Sequence, residues 1–280
     1  PASQHARAVI DLHAGPATAT IDAAAGGRVA ALVAHGVALL VDHSPVDDPM
    51  LWGSFPMVPW VGRLGLGRFD HHGVTHHLPP NLGPHALHGT VFVRPWQRTD
   101  DGTDRTVAAL TCALDAPWPL GGRADQTLAL TATELRCTLT VTAGDRSMPA
   151  EIGWHPWFPT RGPVELPATA MYERDGEGLP TGRLVAPPPP PWDDCFVVAR
   201  PVRFPVGPLQ VTVSSDCDHV VVFDGLDIGI AVEPQSGPPD ALNLHPRVLR
   251  PGEALTRTMT ISWQDGARTA VGYPSVTGGR

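Results

Sequence analysis

Strict alternation of apolar and polar residues is the feature that most restricts what this chain can fold into. In TELRCTLTVTA, residues 133–143, apolar side chains occupy every second position from Leu135 to Val141, and polar side chains stand between them. The segment TRTMTISW, residues 256–263, repeats the pattern. A period of two sends successive side chains to opposite faces of a strand. Both segments therefore predict sheets with one buried and one solvated face.

Other segments extend this prediction to the whole chain. VVVF at 220–223 and IGIAVEP at 228–234 are apolar without alternation, which predicts strands buried on both faces. The 29 glycines and 32 prolines indicate many turns between short strands. No segment combines an apolar face at 3.6-residue spacing with helix caps. We therefore expect an all-β fold, a large sandwich of antiparallel sheets.

The length suits one large β domain, and we predict a single domain over residues 1–280. Five consecutive prolines in APPPPPW, residues 186–192, form a linker in other contexts. Strand patterns of the same composition continue on both sides of this run. We therefore expect a rigid surface connection here rather than a domain boundary.

Charge and composition exclude several classes of function. The sequence has no lysine, so its twenty basic residues are all arginines, which excludes lysine Schiff-base chemistry, lysine-anchored pyridoxal phosphate and a P-loop. The net charge is −8 without a basic stripe, which argues against nucleic-acid binding. No long apolar run, signal peptide or lipidation motif is evident. We expect a soluble cytoplasmic monomer or homodimer that has no membrane contact and needs no cofactor.

Cysteines and clustered histidines have structural interpretations. The four cysteines are far apart, without a C-x-x-C pair: Cys112, Cys137, Cys195 and Cys217. Three of them lie in segments that predict strands, where we expect small buried thiols. DHHGVTHH contains His71, His72, His76 and His77. A hairpin centred on Gly73 would direct adjacent histidines to opposite faces, and no neighbouring cysteine or suitably spaced carboxylate completes a tetrahedral set. We expect no metal site.

Two titratable residues stand directly before a proline: His155 in GWHPWF and Glu233 in AVEPQ. Proline confines the preceding residue to extended backbone, so each side chain is directed by a stiff segment. The reference pKa values are near 6.5 for histidine and near 4.3 for glutamate. Near neutral pH the imidazole can donate a proton and the carboxylate can accept one. Considered separately, however, His155 could be a hydrogen-bonded core histidine, and Glu233 a partner of an arginine.

Interconversion of the anomers of an aldose needs one proton donor and one acceptor, but no metal, nucleotide or nucleophile. A base removes the proton of the anomeric hydroxyl while an acid protonates the ring oxygen, and the opened ring then closes on the other face. Trp154 and Trp157 would offer apolar faces to a sugar. Arg63 and Asp193 would be polar partners for its hydroxyls.

Six short motifs follow one another between Arg63 and Gln235: RLGLGRF from Arg63, HALHG ending at Gly89, GWHPWF at 153–158, PTG at 180–182, WDDCF at 192–196 and VEPQ at 232–235. In this order and spacing they resemble the aldose 1-epimerase (galactose mutarotase) family. The fold of that family, a large antiparallel β-sandwich or supersandwich, agrees with the strand patterns.

The resemblance implies a role for each matched residue. His155 would be the general acid, Glu233 the general base, and His88 would help to hold the ring-oxygen side of the sugar. The residues implied to bind the substrate are Arg63, Asp193, Gln235 and Trp157. The family more often has tyrosine at the position of Trp157, which leaves the preferred sugar open.

Three other functions remain to be compared with epimerisation of a free hexose. A hexose-6-phosphate 1-epimerase would use the same pair of residues and additional arginines, for which Arg94, Arg98 and Arg161 are candidates. A non-catalytic carbohydrate-binding module would need the cavity but not the proton transfer. A glycosidase would need two carboxylates about 5–9 Å apart, and Asp193 and Glu233 are the candidates.

Overall fold

The computed structural model describes residues 9–44 and 46–266. The first half of the chain forms β1 (Val9–Ala14), β2 (Ala17–Asp22), β3 (Arg28–Ala34), β4 (Val37–Ala38), β5 (Ser54–Met57), β6 (Arg63–Leu64), β7 (Arg68–His71), β8 (Val74–His77), β9 (Ala86–Leu87), β10 (Gln97–Arg98), β11 (Val107–Ala113), β12 (Arg123–Leu130) and β13 (Glu134–Thr142). The second half forms β14 (Met148–Pro149), β15 (Gly153–Phe158), β16 (Ala168–Arg174), β17 (Pro180–Val185), β18 (Asp193–Val198), β19 (Val202–Val206), β20 (Leu209–Ser215), β21 (His219–Leu226), β22 (Gly229–Gln235), β23 (Val248–Leu249) and β24 (Ala254–Asp265).

Two large antiparallel sheets contain most of these strands. Eleven strands form the first sheet in the order β1-β2-β3-β5-β15-β22-β21-β18-β16-β17, with β4 beside β3. The second sheet has seven strands in the order β10-β11-β12-β13-β24-β20-β19. Short two-stranded sheets pair β14 with β23, β6 with β9, and β7 with β8. The predicted all-β fold with antiparallel sheets is confirmed.

The seven-stranded sheet shows the alternation expected from the sequence. In β13 every second residue from Leu135 to Val141 is buried, and the residues between them are partly or fully exposed. β24 pairs with β13 so that Leu135 lies opposite Ile261 and Cys137 opposite Met259. Apolar side chains therefore face apolar side chains on the inner surface of this sheet.

Side chains of both sheets meet in a shared core. The indole N–H of Trp154 on β15 donates to Oε1 of Gln126 on β12 at 3.2 Å. The amide of Gln126 in turn donates to the carbonyl oxygen of Gly27 at 2.8 Å. Phe158 packs edge-on against Phe204 of β19, with 4.7 Å between the ring centroids. The two sheets thus pack face to face as a sandwich.

Every residue of β15 and β22 is buried, and for β22 the continuous apolar run at 228–234 predicted this. Trp154 packs against the second sheet, so the prediction that it faces a sugar is wrong. Because side chains alternate along a strand, the neighbouring His155 points to the opposite face. That face of the large sheet is covered by loops rather than by water.

The connections between strands are mostly short or exposed segments, with little helical structure among the described residues. The polyproline segment 186–192 joins β17 to β18 across β16, and most of it is exposed, as expected for a surface connection. Helical structure in the described part is limited to one turn, α1 (Ala241–Leu244), and a 3-10 turn at Gly65–Gly67. Within the described ranges, no helix is long and apolar enough to cross a membrane.

The histidine-rich segment forms the predicted hairpin of β7 and β8, but its side chains are arranged differently. The rings of His71 and His72 lie 4.2 Å apart, and both reach Oγ of Ser147, at 3.0 and 2.8 Å. The expectation that they face opposite sides is wrong. His72 adopts a left-handed backbone (φ 50°) in the turn and therefore does not continue the alternation of the strand.

All four cysteines are buried and free, whereas burial was predicted for three of them. Burial raises the pKa of the Cys137 thiol to about 12, and that of Cys217 also to about 12. Because the thiolate is the reactive form of cysteine, burial keeps these residues unreactive at neutral pH.

Candidate active site

The register of neighbouring strands aligns five side chains in one row across the eleven-stranded sheet. Phe55 lies opposite His155 in the β5–β15 pair, and Val221 lies opposite both Glu233 and Cys195 in its two pairs. Since Gly153 lies opposite Gln235 in the β15–β22 pair, two residues further on His155 lies opposite Glu233. In order, the row is Phe55, His155, Glu233, Val221 and Cys195. Antiparallel pairing thus brings together residues that are far apart in sequence.

A second row lies two residues away on the same face. Trp157 is opposite Ala231, Ala231 is opposite Phe223, and Phe223 is opposite Asp193. All residues of the two rows except Phe55 and Ala231 line the floor of a cavity of about 280 Å³. Its rim comes from three parts of the chain, around residues 48–51, 82–88 and 178–180. This volume suits a small molecule rather than a nucleotide or a peptide.

His155 and Glu233 contact each other at the floor of this cavity. Nε2 of His155 lies 3.3 Å from Oε1 of Glu233, and both side chains are almost fully buried. Burial lowers the pKa of His155 to about 3, its own backbone carbonyl opposes this shift, and the charge of Arg28 adds to it. Burial also raises the pKa of Glu233 well above its ordinary value, and the nearby Asp193 carboxylate raises it further. Both shifts favour the uncharged form of the pair.

Aromatic rings surround the imidazole of His155 on several sides. Phe55 stacks against it with 4.7 Å between the ring centroids, and Trp157 lies at 5.5 Å with a tilt of 31°. His88 approaches edge-on at 4.9 Å. This packing explains both the orientation of the imidazole and the loss of solvent around it.

His88 reaches the site from the loop after β9. Its backbone is left-handed (φ 63°), and its N–H donates to the carbonyl oxygen of Gly62 at 3.0 Å. At the next residue, Gly89, any Cβ would lie 2.0 Å from the carbonyl oxygen of Val58, so only glycine fits. Burial, together with His155 and Arg63, lowers the pKa of His88 well below its ordinary value. The His88 imidazole is therefore neutral at pH 7.

Charged residues at the other end of the cavity form a connected group. Oδ2 of Asp193 accepts from Arg63 at 3.1 Å and from Arg174 at 2.9 Å. Arg174 also contacts Oδ1 of the buried Asp194 at 2.9 Å. Arg63, Asp193 and Arg174 all line the cavity. Arg174 was not expected from the sequence, because ATAMYER has neither a clear alternation nor a recognisable motif.

Of the predicted substrate-binding residues Trp157 and Gln235, only Trp157 lines the cavity. Trp157 lines the cavity with its ring, and its indole N–H donates to the carbonyl oxygen of Met50 at 2.7 Å. Gln235 is fully buried and lies off the cavity wall. Its Nε2 donates to Oε2 of Glu233 at 3.1 Å. Gln235 therefore orients the carboxylate from behind, in place of the sugar contact that was expected.

The arginines considered for a phosphate group lie elsewhere. Each forms an ion pair away from the cavity: Arg94 with Asp115, Arg98 with Asp100 and Arg161 with Asp227. None of the three lines the cavity around His155. Within the described part of the chain, no group of three or more histidine, cysteine, aspartate or glutamate residues is arranged to hold a metal ion.

An antiparallel sandwich with a buried histidine–glutamate pair at the floor of a small cavity agrees with the family that the motifs resemble. The family model described as aldose 1-epimerase matches residues 10–241. The chain therefore belongs to the aldose 1-epimerase family.

Individual relatives are more distant. The uncharacterized proteins YihR and YphB of Escherichia coli K12 are both 27% identical to this chain, over 267 and 244 residues. These matches cover 84% of this chain and 85% of YihR, and 74% of this chain and 82% of YphB.

Solved structures show the same fold. The structure of a putative aldose 1-epimerase from E. coli K12 superposes with a TM-score of 0.82 at 21% identity, covering 92% of this chain and 99% of the other. A galactose 1-epimerase from Lactobacillus acidophilus gives a TM-score of 0.77 at 17% identity, with 91% and 94% covered.

Proposed function

We propose that this protein is an aldose 1-epimerase that interconverts the α and β anomers of a free hexose such as glucose or galactose. The observation that carries the proposal is the 3.3 Å contact between His155 and Glu233 at the floor of the cavity. Glu233 takes the proton of the anomeric hydroxyl while His155 gives a proton to the ring oxygen. The bond between C1 and the ring oxygen breaks, and C1 becomes an aldehyde. After rotation about C1–C2, the reverse proton transfers close the ring on the other face of the aldehyde. The product is the other anomer.

The reaction moves one proton within the pair and consumes none. Ring opening starts from protonated His155 with ionised Glu233 and ends with neutral His155 and protonated Glu233. Burial favours the second state, as the directions of both pKa shifts show. The hydroxyls of a bound sugar would stabilise the first state through new hydrogen bonds. Sugar binding would therefore bring the two states closer in free energy, which helps the reaction to run in both directions.

Other residues around the cavity would hold the sugar. Nδ1 of His88 is buried and has no hydrogen-bond partner among the described residues, so it is free to meet the ring-oxygen side. Arg63 and Asp193 present a donor and an acceptor to sugar hydroxyls at the cavity wall. The ring of Trp157 supplies an apolar face.

The charges around the cavity favour a free sugar over a sugar phosphate. Arg63 and Arg174 are already bonded to Asp193, and Arg174 also to Asp194. A phosphate dianion would have to compete with these carboxylates for the same guanidinium groups. The contact between Glu233 and a histidine also differs from the glycosidase arrangement, in which two carboxylates flank the scissile bond.

Polarimetry tests the proposal directly. Freshly dissolved α-D-glucose and α-D-galactose should reach anomeric equilibrium faster with the protein than without it, in buffer containing EDTA. The 6-phosphates of both sugars serve as the comparison. Faster relaxation of the phosphates alone would establish the hexose-6-phosphate 1-epimerase instead. If no sugar relaxes faster but one binds by calorimetry, the protein is a carbohydrate-binding module.

A further inference from the structure

Arg28, the first residue of β3, is a buried cation close to the site but outside the cavity. Its side chain is 1% exposed. Its guanidinium donates to four backbone carbonyl oxygens: those of Ala25 at 2.7 Å, Pro49 at 2.8 Å, Trp52 at 3.1 Å and Phe92 at 3.1 Å. Within the described ranges, no carboxylate lies at ion-pair distance from it. Burying a charge without a direct counter-ion is costly, so its position calls for a physical reason.

The local chain is built to bring Arg28 to this position. Gly26 has a left-handed backbone (φ 86°), and a Cβ there would lie 1.9 Å from the carbonyl oxygen of Phe92. Only glycine allows so close an approach. Burial lowers the pKa of Arg28 to about 10, opposed by the charge of Asp22, and the guanidinium therefore remains charged at neutral pH.

Arg28 acts on two of the aromatic rings that pack around His155, on Phe55 directly and on Trp157 through the loop that contains Met50. Its guanidinium carbon lies 4.1 Å from the ring centroid of Trp52 and 5.2 Å from that of Phe55, which stacks on the imidazole. Its bonds to the carbonyls of residues 49 and 52 fix the loop on both sides of Met50. The carbonyl oxygen of Met50 accepts the indole N–H of Trp157.

The bond to the carbonyl oxygen of Phe92 extends this arrangement to the second histidine. The ring of Phe92 packs edge-on against His88, with 6.2 Å between the centroids, and against Phe55 at 5.2 Å. The guanidinium thus contacts the ring of Phe55 and the backbone of Phe92 directly, and it reaches Trp157 through the loop that contains Met50.

We propose that Arg28 is a positioning residue for His155: it fixes the rings of Phe55 and Trp157 against the imidazole and places a positive charge near it. This proposal rests on the proposed function, in which His155 is the acid. A nearby cation makes the imidazolium give up its proton more readily, which suits donation to a weakly basic ring oxygen.

The groups that act on the charge of His155 come from several elements. Glu233 on β22 contacts it directly, His88 faces it from the loop after β9, and Arg28 acts from β3. Arg63 and Asp193 act indirectly, through His88 and Glu233. Changing Arg28 alone leaves the other four groups in place.

Two substitutions distinguish the effect of the Arg28 charge from the effect of its hydrogen bonds to the four carbonyl oxygens. Arg28→Met removes both, whereas Arg28→Lys keeps the charge but cannot reach four carbonyls with one ammonium group. Arg123→Met is the matched control, since Arg123 is an exposed arginine that pairs with Asp125 on the other sheet. The imidazole of His155 is followed by 15N NMR from pH 8 to pH 2, a range that includes the wild-type midpoint near pH 3. The values of kcat and KM are measured by polarimetry well below each melting temperature.

In Arg28→Met we expect His155 to become protonated at a pH about one unit higher than in the wild type, because a nearby positive charge is gone. Arg28→Lys should titrate as the wild type does. Both variants should lose about tenfold in kcat with a smaller change in KM, because the acid is displaced while Arg63 and Asp193, the proposed sugar partners, stay in place. Arg123→Met should match the wild type in every measurement.

Two results would overturn the proposal. In the first, Arg28→Met melts earlier but keeps the wild-type titration and kcat, which is the behaviour of a purely structural arginine. In the second, Arg28→Met does not fold and Arg28→Lys keeps full kcat. A wild-type protein that relaxes no sugar contradicts the proposed function instead, and the NMR titration still decides whether Arg28 acts on His155.

Discussion

The two large sheets of this protein differ in regularity, and the difference follows their use. The seven-stranded sheet pairs without register shifts, and threonines line up on its outer face, as in the 2.9 Å contact between Thr140 and Thr256. The eleven-stranded sheet has register shifts in four of its strand pairs. Its central strands are buried on both faces.

The outer faces of the two sheets differ in their exposure to water, and this difference suits them to different functions. The seven-stranded sheet contributes one apolar face to the core, and water reaches the other. In the large sheet, loops over the second face exclude water, and this shifts the pKa of His155 and Glu233. We therefore expect substitutions on the inner face of the seven-stranded sheet to change stability, whereas substitutions in the two rows of the eleven-stranded sheet should change catalysis.

Glu233→Gln should have the largest effect of the substitutions in the rows. Glutamine has nearly the same shape but cannot take the anomeric proton, so kcat should fall by about 10²–10⁴-fold. Polarimetry measures the loss, and circular dichroism should show an unchanged fold. If Glu233→Gln keeps most of the activity, Glu233 is not the base.

Leu139→Ala tests the other side of the comparison. Leu139 is fully buried on the inner face of β13. Its truncation should lower the free energy of unfolding by about 2–5 kcal/mol, measured by urea denaturation. The KM of the folded fraction should stay the same. A large change in KM would show that the two sheets are not separate in function.

Gln235→Leu should have a smaller effect on the reaction. Gln235 donates to Glu233 without lining the cavity, so the loss should be about tenfold in kcat with an unchanged KM. Arg63→Met is the matched comparison, because Arg63 lines the cavity and its loss should raise KM. A raised KM in Gln235→Leu would support the sugar contact first expected from the sequence.

The smallest expected effect is on stability as a function of pH. Burial raises the pKa of Glu233 above its unfolded value of 4.5. The stability that this group contributes is therefore full below pH 4.5 and is lost as the pH rises through the folded pKa. Glutamine does not titrate. Urea midpoints of Glu233→Gln and wild type should agree near pH 4, and the variant should become the more stable of the two toward pH 8.

The sequence predicts the local structure well, because alternation and proline act on neighbouring residues. The strands of the second sheet and the extended backbone at His155 follow from such patterns. Which side of β15 faces the cavity depends on where the partner sheet packs. The orientation predicted for Trp154 was wrong for this reason. Arg174 and Arg28 reach the site through contacts with residues distant in sequence, and no local pattern marks such contacts.

The pairing of β15 with β22 has a further consequence for engineering. A shift of one residue between these strands would turn Glu233 away from His155, so insertions within either strand should abolish activity. The rim of the cavity comes from loops around residues 48–51, 82–88 and 178–180, which lie outside these two strands. Exchanging the residues of those loops other than Met50 and His88 is therefore a route to altered sugar preference that leaves the contact between His155 and Glu233 in place.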